Sequence, residues 1–353
     1  MHRAKHLFER VCSFENLRVA ARKALRGRRS RMPGAAFFGD MEKELVSLQH
    51  ELATGTYEHG GYHYFRVYEP KERLVAAAPF RDRVVHHAIV RVIEPIFEKR
   101  FIEDSFACRP GKGTHAAMRR ALHFARGFGY ALKCDVRKYF PSIDHEVLMG
   151  LLGRVIGDAK LLDLIGGIVA SHRDGSRQEW PVGGGLFDMH AYHRGLPIGN
   201  LTSQFFANVY LNPLDHFIKH DLGVRGYVRY MDDFILFGDT RLCLKDWGRR
   251  VQDKLAELRL KMHADKYRLM PTACGVDFVG FVVFGDGRVR VRSASVKRFD
   301  RSYRRMRWEV NHKMRIPADL TMRVRAWVAH AAHAQSYSLR AAVLGRRREA
   351  ICG

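Results

Sequence analysis

Three aspartates carry the chemistry that this sequence suggests. Asp232 and Asp233 stand side by side in Tyr227-Val-Arg-Tyr-Met-Asp-Asp-Phe-Ile-Leu-Phe237, an apolar, aromatic and β-branched run. Such a composition predicts two strands joined by a tight turn at Met231-Asp232-Asp233. Adjacent carboxylates in apolar surroundings are costly unless cations compensate them, and hard oxygen ligands suit divalent Mg²⁺. Two such ions would require a further carboxylate from elsewhere in the chain. The plain alternative is a hairpin whose Asp-Asp pair is a solvated turn.

The further carboxylate is at hand in Tyr130-Ala-Leu-Lys-Cys-Asp135-Val-Arg-Lys-Tyr139-Phe140-Pro-Ser-Ile-Asp144. A short strand delivers Asp135 to its C-terminal end, a turn bearing two aromatics follows, and a helix starts at about His145. A metal-binding carboxylate beside a bulky ring suits nucleotidyl transfer. The ring of Phe140 can pack under the sugar of a nucleotide and crowd out a 2′-hydroxyl.

Cations surround these stretches. Residues Tyr62 to Tyr68 alternate like a strand, and beyond them Lys71 and Arg73 fall on one side of an extended chain, where they suit an incoming triphosphate. The alternative for a lone K-x-R is a solvated hairpin tip. The basic turn Arg109-Pro-Gly-Lys112-Gly-Thr114 leads into a helix capped by Thr114, a place for a phosphate or a template nucleotide. Gly195-Leu-Pro-Ile198-Gly199-Asn-Leu-Thr-Ser203-Gln204 reads as a loop before a helix from Phe205 to about Asp221. Its glycines and small polar residues allow close approach of a base pair.

The elements that must position these residues follow in order. Ser13 caps a basic helix over Phe14–Leu25 that Gly27 stops, and a second helix from about Asp40 puts Met41, Leu45, Leu48 and Leu52 on one face before Gly55. A helix opened by Arg81-Asp82-Arg83 is expected to close at Pro95. His86 and His87 within it read as packing or backbone-contacting residues. Apolar helices follow around Val147–Val155 and Leu161–Ser171, and the polar, glycine-containing stretch from Arg173 to Arg194 reads as a surface insertion. After the Asp-Asp hairpin come a helix over about Arg241–Leu258, a strand beyond Lys266 and a further strand over Val276–Phe284. From Ser293 the chain turns helical and strongly basic: Lys297, Arg298, Arg301, Arg304, Arg305 and Arg307 cover one helix, and another follows Pro317. Such density favours phosphate contact over a merely solvated face. The segmentation is therefore a basic N-terminal extension (1–35), a central domain (36–285) and a basic helical C-terminal domain (286–353).

Composition sets the partner class. The 353 residues are 46% hydrophobic, ample for a core, and carry a net charge of +24, a field that attracts polyanions, nucleic acid first and an anionic membrane second. No apolar run is long enough to span a bilayer, and no signal peptide is visible. The six cysteines lack a C-x-x-C pair and read as reduced thiols of a cytoplasmic protein, with neither a zinc site nor a disulfide framework.

Taken together, the motifs resemble a reverse transcriptase of the prokaryotic kind related to group II intron enzymes. Tyr230-Met-Asp-Asp233 resembles the family's Y-x-D-D. Lys133-Cys-Asp135 with Phe140 resembles its first catalytic motif, Arg73 its triphosphate-binding finger cation, and Phe278-Val-Gly280-Phe281 its primer grip. Lys266 is similar to a lysine held to protonate pyrophosphate. Where most relatives read L-P-Q-G-x-x-x-S-P, this chain has Ile198 and Gln204, a form similar to the enzymes of diversity-generating retroelements, which copy a template-repeat RNA and misincorporate at adenines. The resemblance implies an α+β right-hand fold of fingers, palm and small helical thumb, and two Mg²⁺ ions (or Mn²⁺) bridged by Asp135 and Asp232, with Asp233 and the Val136 carbonyl assisting. Also implied are dNTP contacts from Lys71, Arg73, Phe140, Ile198 and Lys266, and template or primer contacts from Arg109, Gly199, Ser203, Gln204, Phe278, Gly280, Arg301, Arg304 and Arg305. Partners would be template RNA, cDNA, dNTPs and a small basic helical accessory protein, pentameric in that group, with no membrane. The setting would be bacterial, archaeal or phage-encoded and cytoplasmic. A defence-associated enzyme using a dedicated non-coding RNA, a group II intron enzyme and a non-catalytic RNA-binding protein on the same scaffold are the alternatives.

Overall fold

The computed structural model describes residues 3–26, 37, 39–68, 72–172 and 194–345. Lys71, nearly all of the expected insertion at 173–193 and the arginine tail at 346–348 lie outside them. The chain forms two compact units, each assembled from three stretches: residues 1–102, 136–217 and 252–261 make the first, and 103–135, 218–251 and 262–353 the second.

The first unit begins with α1 (Leu7–Cys12), which the sequence does not announce, and α2 (Phe14–Leu25), whose N-terminus is capped by the Ser13 hydroxyl accepting from the Asn16 N–H. Leu17, Ala20, Ala21 and Ala24 are buried, and the Asn16 amide donates to the carbonyls of Val11 (3.0 Å) and Ala88 (3.1 Å). The basic helix therefore packs its apolar face into the unit and turns Arg22 and Lys23 outward. α3 (Met41–Thr54) buries Leu45, Leu48 and Leu52 and ends at Gly55 with φ 75°. β1 (His63–Val67) and β2 (Arg73–Ala77) form an antiparallel ribbon. α4 (Phe80–Glu98) runs straight through Pro95, where the sequence predicts its end. The apolar stripe continues beyond that residue in buried Phe97, whose ring meets Phe205 at 5.5 Å, and this packing outweighs one missing backbone donor.

The chain then enters the second unit with α5 (Thr114–Gly127) and β3 (Tyr130–Asp135). Thr114 is the first helical residue of α5 and not its cap: Gly113 takes the cap position at φ 126°, a conformation that favours glycine. Back in the first unit come α6 (Tyr139–Ser142), α7 (His145–Gly153), α8 (Ala159–Ala170) and α9 (Leu201–His216). α9 starts earlier than predicted, at Leu201, so Ser203 and Gln204 lie in its first turn and not in a loop. Asn200, at the N-cap, spends its side chain on β2 instead, donating to the Ala76 carbonyl at 2.8 Å.

The second unit resumes with β4 (Gly226–Tyr230), β5 (Asp233–Gly238), α10 (Arg241–Glu257, whose last residues belong to the first unit) and β6 (Arg268–Pro271). These strands and β3 form an antiparallel sheet ordered β4-β5-β3-β6. Met118, Ala121 and Phe124 of α5 pack with Ala131, Ile235 and Phe237 of the sheet. Three short strands, β7 (Val276–Phe278), β8 (Phe281–Val283) and β9 (Val289–Val291), form a second sheet where the sequence predicts one strand. The break is a two-residue turn in which Val279 and Gly280 both have positive φ, 44° and 90°, the geometry that matches strand twist. The basic helix α11 (Ser293–Asn311), α12 (Pro317–Ala331) and α13 (Tyr337–Gly345) complete the unit, with Phe299 stacked on Trp327 at 4.1 Å. The fold class is the expected α+β arrangement of antiparallel palm-type sheet, helices and a basic helical C-terminal part. Among the described residues no helix is long and apolar enough to cross a membrane.

Candidate active site

The three aspartates come together in the second unit. β3 and β5 pair in a register that sets Asp135 directly opposite Asp233, at the ends of both strands. β4 pairs with β5 as far as Tyr230 opposite Asp233, leaving Met231 and Asp232 as the turn. Met231 holds that turn with a left-handed φ of 58°. Opposed residues of an antiparallel pair have Cβ atoms within about 5.5 Å, so the two strand-borne carboxylates are neighbours by register alone.

Two lysines neutralise them. The Lys266 ammonium donates to Asp135 Oδ2 at 2.6 Å, and Lys133 Nζ lies 3.2 Å from Asp233 Oδ2 while donating to the Asp277 carbonyl at 2.7 Å. Lys133 shares a β3 face with Asp135 because the two are separated by one residue. A short 3₁₀ turn at Ala264–Lys266 presents Lys266, and the His263 N–H donates to the Asp135 carbonyl at 2.8 Å. Asp233 keeps 26% of its side-chain surface exposed, yet its Oδ1 is enclosed and has no hydrogen-bond partner among the described residues. Burial above all, opposed by Lys133 and reinforced by the charges of Asp135 and Asp232, pushes its carboxyl up to about 7. Burial likewise pushes the Cys134 thiol up.

Among the described residues no three His, Cys, Asp or Glu side chains form a ready-made ligand cluster. The donor set nevertheless fits a hard divalent cation. It offers carboxylate oxygens on opposed strands and an enclosed, unpartnered Oδ1, with ammonium groups already supplying positive charge at the other oxygens. Val136, the next residue after Asp135, is buried.

The remaining candidates divide between the units. In the first, the Ala76 N–H donates to the Ile198 carbonyl at 3.0 Å, tying the strand that carries Arg73 to the Ile198 loop. A Cβ on Gly199, whose φ is 115°, would lie 2.7 Å from Val75 Cγ1, so that loop and β2 are in the close contact only glycine allows. The Phe140 carbonyl accepts from the Leu196 N–H at 2.9 Å, and its half-buried ring meets Tyr139. Ser203 is buried and Gln204 half-buried. In the second unit, Arg109 donates to the Ser105 carbonyl at 2.7 Å, Phe278 is fully buried, and Gly280 forms the β7–β8 turn. On α11, Arg301 is exposed, Arg304 pairs with Asp300 at 2.7 Å and Arg305 approaches Glu309 at 3.5 Å. The sequence presents Lys133 only as part of a motif. Its role as charge partner of Asp233 depends on pairing with a strand about a hundred residues away.

The family described as "Reverse transcriptase (RNA-dependent DNA polymerase)" matches residues 68–283. The protein YkfC of Escherichia coli (strain K12) is 28% identical over 265 residues, covering 69% of this chain and 66% of YkfC. The group II intron-encoded protein LtrA of Lactococcus lactis subsp. cremoris is 27% identical over 185 residues, covering 51% of this chain and 29% of LtrA. The chain thus spans less than two thirds of either relative. A telomerase structure from Candida albicans in complex with an RNA fragment aligns with a TM-score of 0.47 at 12% identity, covering 73% of this chain and 52% of that one.

Proposed function

Because this chain belongs to the reverse transcriptase (RNA-dependent DNA polymerase) family, we propose that it copies an RNA template into DNA at the Asp135–Asp232–Asp233 site. The observation that carries the reading is the register of Asp135 against Asp233 with Asp232 on the adjoining turn. In the reaction a primer 3′-hydroxyl attacks the α-phosphorus of a dNTP in line, a new P–O bond forms, and the bond to pyrophosphate breaks. Asp135, Asp232, Asp233 and the Val136 carbonyl would hold Mg²⁺, or Mn²⁺, which when bound lowers the pKa of the attacking hydroxyl and stabilises the leaving pyrophosphate. Lys133 balances the charge of Asp233. Lys266, drawn to Asp135 in the free protein, would hand its proton to the departing pyrophosphate once substrate competes for it. Arg73 and Lys71 would bind the triphosphate, Phe140 would screen the sugar, and Arg109, the β7–β8 turn and the α11 arginines would hold template and primer.

Ile198 and Gln204 support a narrower reading: cDNA synthesis for a diversity-generating retroelement, with errors at template adenines and a small basic accessory protein as partner. Primer extension on an RNA template, with and without Mg²⁺, tests the broad reading. Asp232→Asn should abolish it while RNA binding persists, because phosphate contacts dominate affinity. Near-normal extension by that variant removes the assignment. Sequencing the cDNA of the unmodified enzyme, with its cognate RNA and accessory protein present, tests the narrow one: faithful copying of adenines favours a defence-type enzyme.

A further inference from the structure

The geometry points to Arg229 as a positioning residue for the turn that presents Asp232 and Asp233, and this rests on the polymerase reading above. Arg229 lies in β4 between Val228 and Tyr230 and is fully buried, at 0% exposure, the largest of the fully buried side chains. A guanidinium has no neutral form to retreat into at ordinary pH, so a buried one must be held by acceptors. Its Nη1 donates to the Met231 carbonyl at 3.0 Å.

That acceptor is informative. The Met231 carbonyl belongs to the peptide plane joining Met231 to Asp232, so a bond to it fixes the rotation of that plane and with it the position from which Asp232 departs. Met231 is also the turn residue with a left-handed φ, 58°, a conformation disfavoured for an unbranched L side chain and one that persists only where the surroundings hold it.

The anchor on the other side is a pair of backbone bonds to a segment held by ion pairs. The Arg229 N–H donates to the Asp104 carbonyl at 2.9 Å, and its own carbonyl accepts from the Phe106 N–H at 3.0 Å. The Asp104 carboxylate, 1% exposed, is held by Arg120 at 2.5 Å and Lys219 at 2.7 Å. The segment around Asp104, fixed by its buried carboxylate and two partly exposed cations, thus clamps the Arg229 backbone from one side, and its guanidinium clamps the catalytic turn from the other. Neutralising charge is the task of Lys133 and Lys266. Arg229 sets where the turn stands.

The test compares Arg229→Met, Met231→Gly and the double variant. Glycine enters the left-handed region freely, so Met231→Gly lessens the need for the clamp. Arg229→Met should lower kcat for primer extension about tenfold with little change in the KM for dNTP, and should speed hydrogen exchange at the amides of residues 231–233. In the Met231→Gly background the same substitution should cost less than about threefold. Equal losses in both backgrounds, or unchanged exchange at the turn, overturn the proposal and leave Arg229 a core residue. If Arg229→Met fails to fold, Arg229→Lys, which keeps a cation but loses the planar fork, is read in both backgrounds by the same criteria. Hydrogen exchange does not depend on activity. An unmodified protein that extends no primer therefore sinks the polymerase reading alone, and the exchange data still decide on Arg229.

Discussion

His86 offers a measurement of how the first unit responds to acid. Its ring, on α4, is 1% exposed, stacks on His59 at a centroid distance of 5.3 Å, and has no hydrogen-bond partner at either nitrogen among the described residues. Burial first, then the neighbouring His59, His87 and Arg83, pulls it down to about 3. The sign follows from linkage. Above the ordinary histidine value near 6.5 both folded and unfolded chains carry a neutral ring, and His86 makes stability independent of pH. Below it the unfolded chain takes up a proton that the folded one refuses, so stability falls until pH reaches about 3. At about 1.36 kcal/mol per pH unit, the loss is ~0.8 kcal/mol at pH 6 and ~2 kcal/mol at pH 5. His86→Leu keeps an apolar body of similar size and removes the titration. The two proteins should therefore converge or cross in relative stability as pH falls from 7.5 to 5, the variant gaining ~2 kcal/mol on the parent. Urea series at several pH values, followed through hydrogen exchange of α4 peptides, read the first unit separately from the second. Parallel pH profiles for the two proteins would show that His86 finds a proton-compatible environment and that this reasoning fails.

Three further outcomes are expected. Phe140→Ala should raise the ratio of ribonucleotide to deoxyribonucleotide incorporation about tenfold or more, about 1.4 kcal/mol of lost discrimination; an unchanged ratio means that the ring does not screen the sugar. Ile198→Gln leaves the Ile198 backbone bond to Ala76 in place and should reduce misincorporation at template adenines by up to about tenfold with extension retained, as sequenced cDNA from both proteins would reveal. Arg301→Ala should reduce the log–log salt slope of RNA binding by about one, whereas Arg304→Ala should change it less, since Asp300 already accompanies that charge at 2.7 Å. Equal slopes for all three proteins would turn α11 away from nucleic acid.

The candidate site was legible in sequence wherever chemistry was written locally. Two adjacent aspartates in a β-branched run, and a third at the end of a short, largely apolar run, needed only residue types and spacing to be found. Their opposition in register was not legible, because strand pairing is a long-range choice that neither strand encodes alone. Lys133 and Arg229 were missed as supports for the same reason: a cation inside an apolar strand is ambiguous until its acceptors are known. Boundaries failed where tertiary contacts overrode local signals. Pro95 did not end α4 because Phe97 still had a core to enter, and the start of α9 lay before Phe205 because Asn200 was held by β2. The two units are each stitched from stretches that are not contiguous, an arrangement set by long-range contacts and not by local sequence.

That stitching has a consequence for the protein's birth. β3 is an interior strand, flanked by β5 and β6. Both partners are translated much later, Asp233 following Asp135 by 98 positions (233 − 135). At a translation rate of about 5–20 residues per second, β3 waits for roughly 5–20 s with both edges open. Until then the nascent chain carries an apolar strand with unanswered backbone groups, and Asp135 has no opposing carboxylate. The aspartate site therefore cannot exist on a partly made chain: it closes late, when the hairpin bearing Asp232 leaves the ribosome, and until then the open edges of β3 are open to aggregation or chaperone capture.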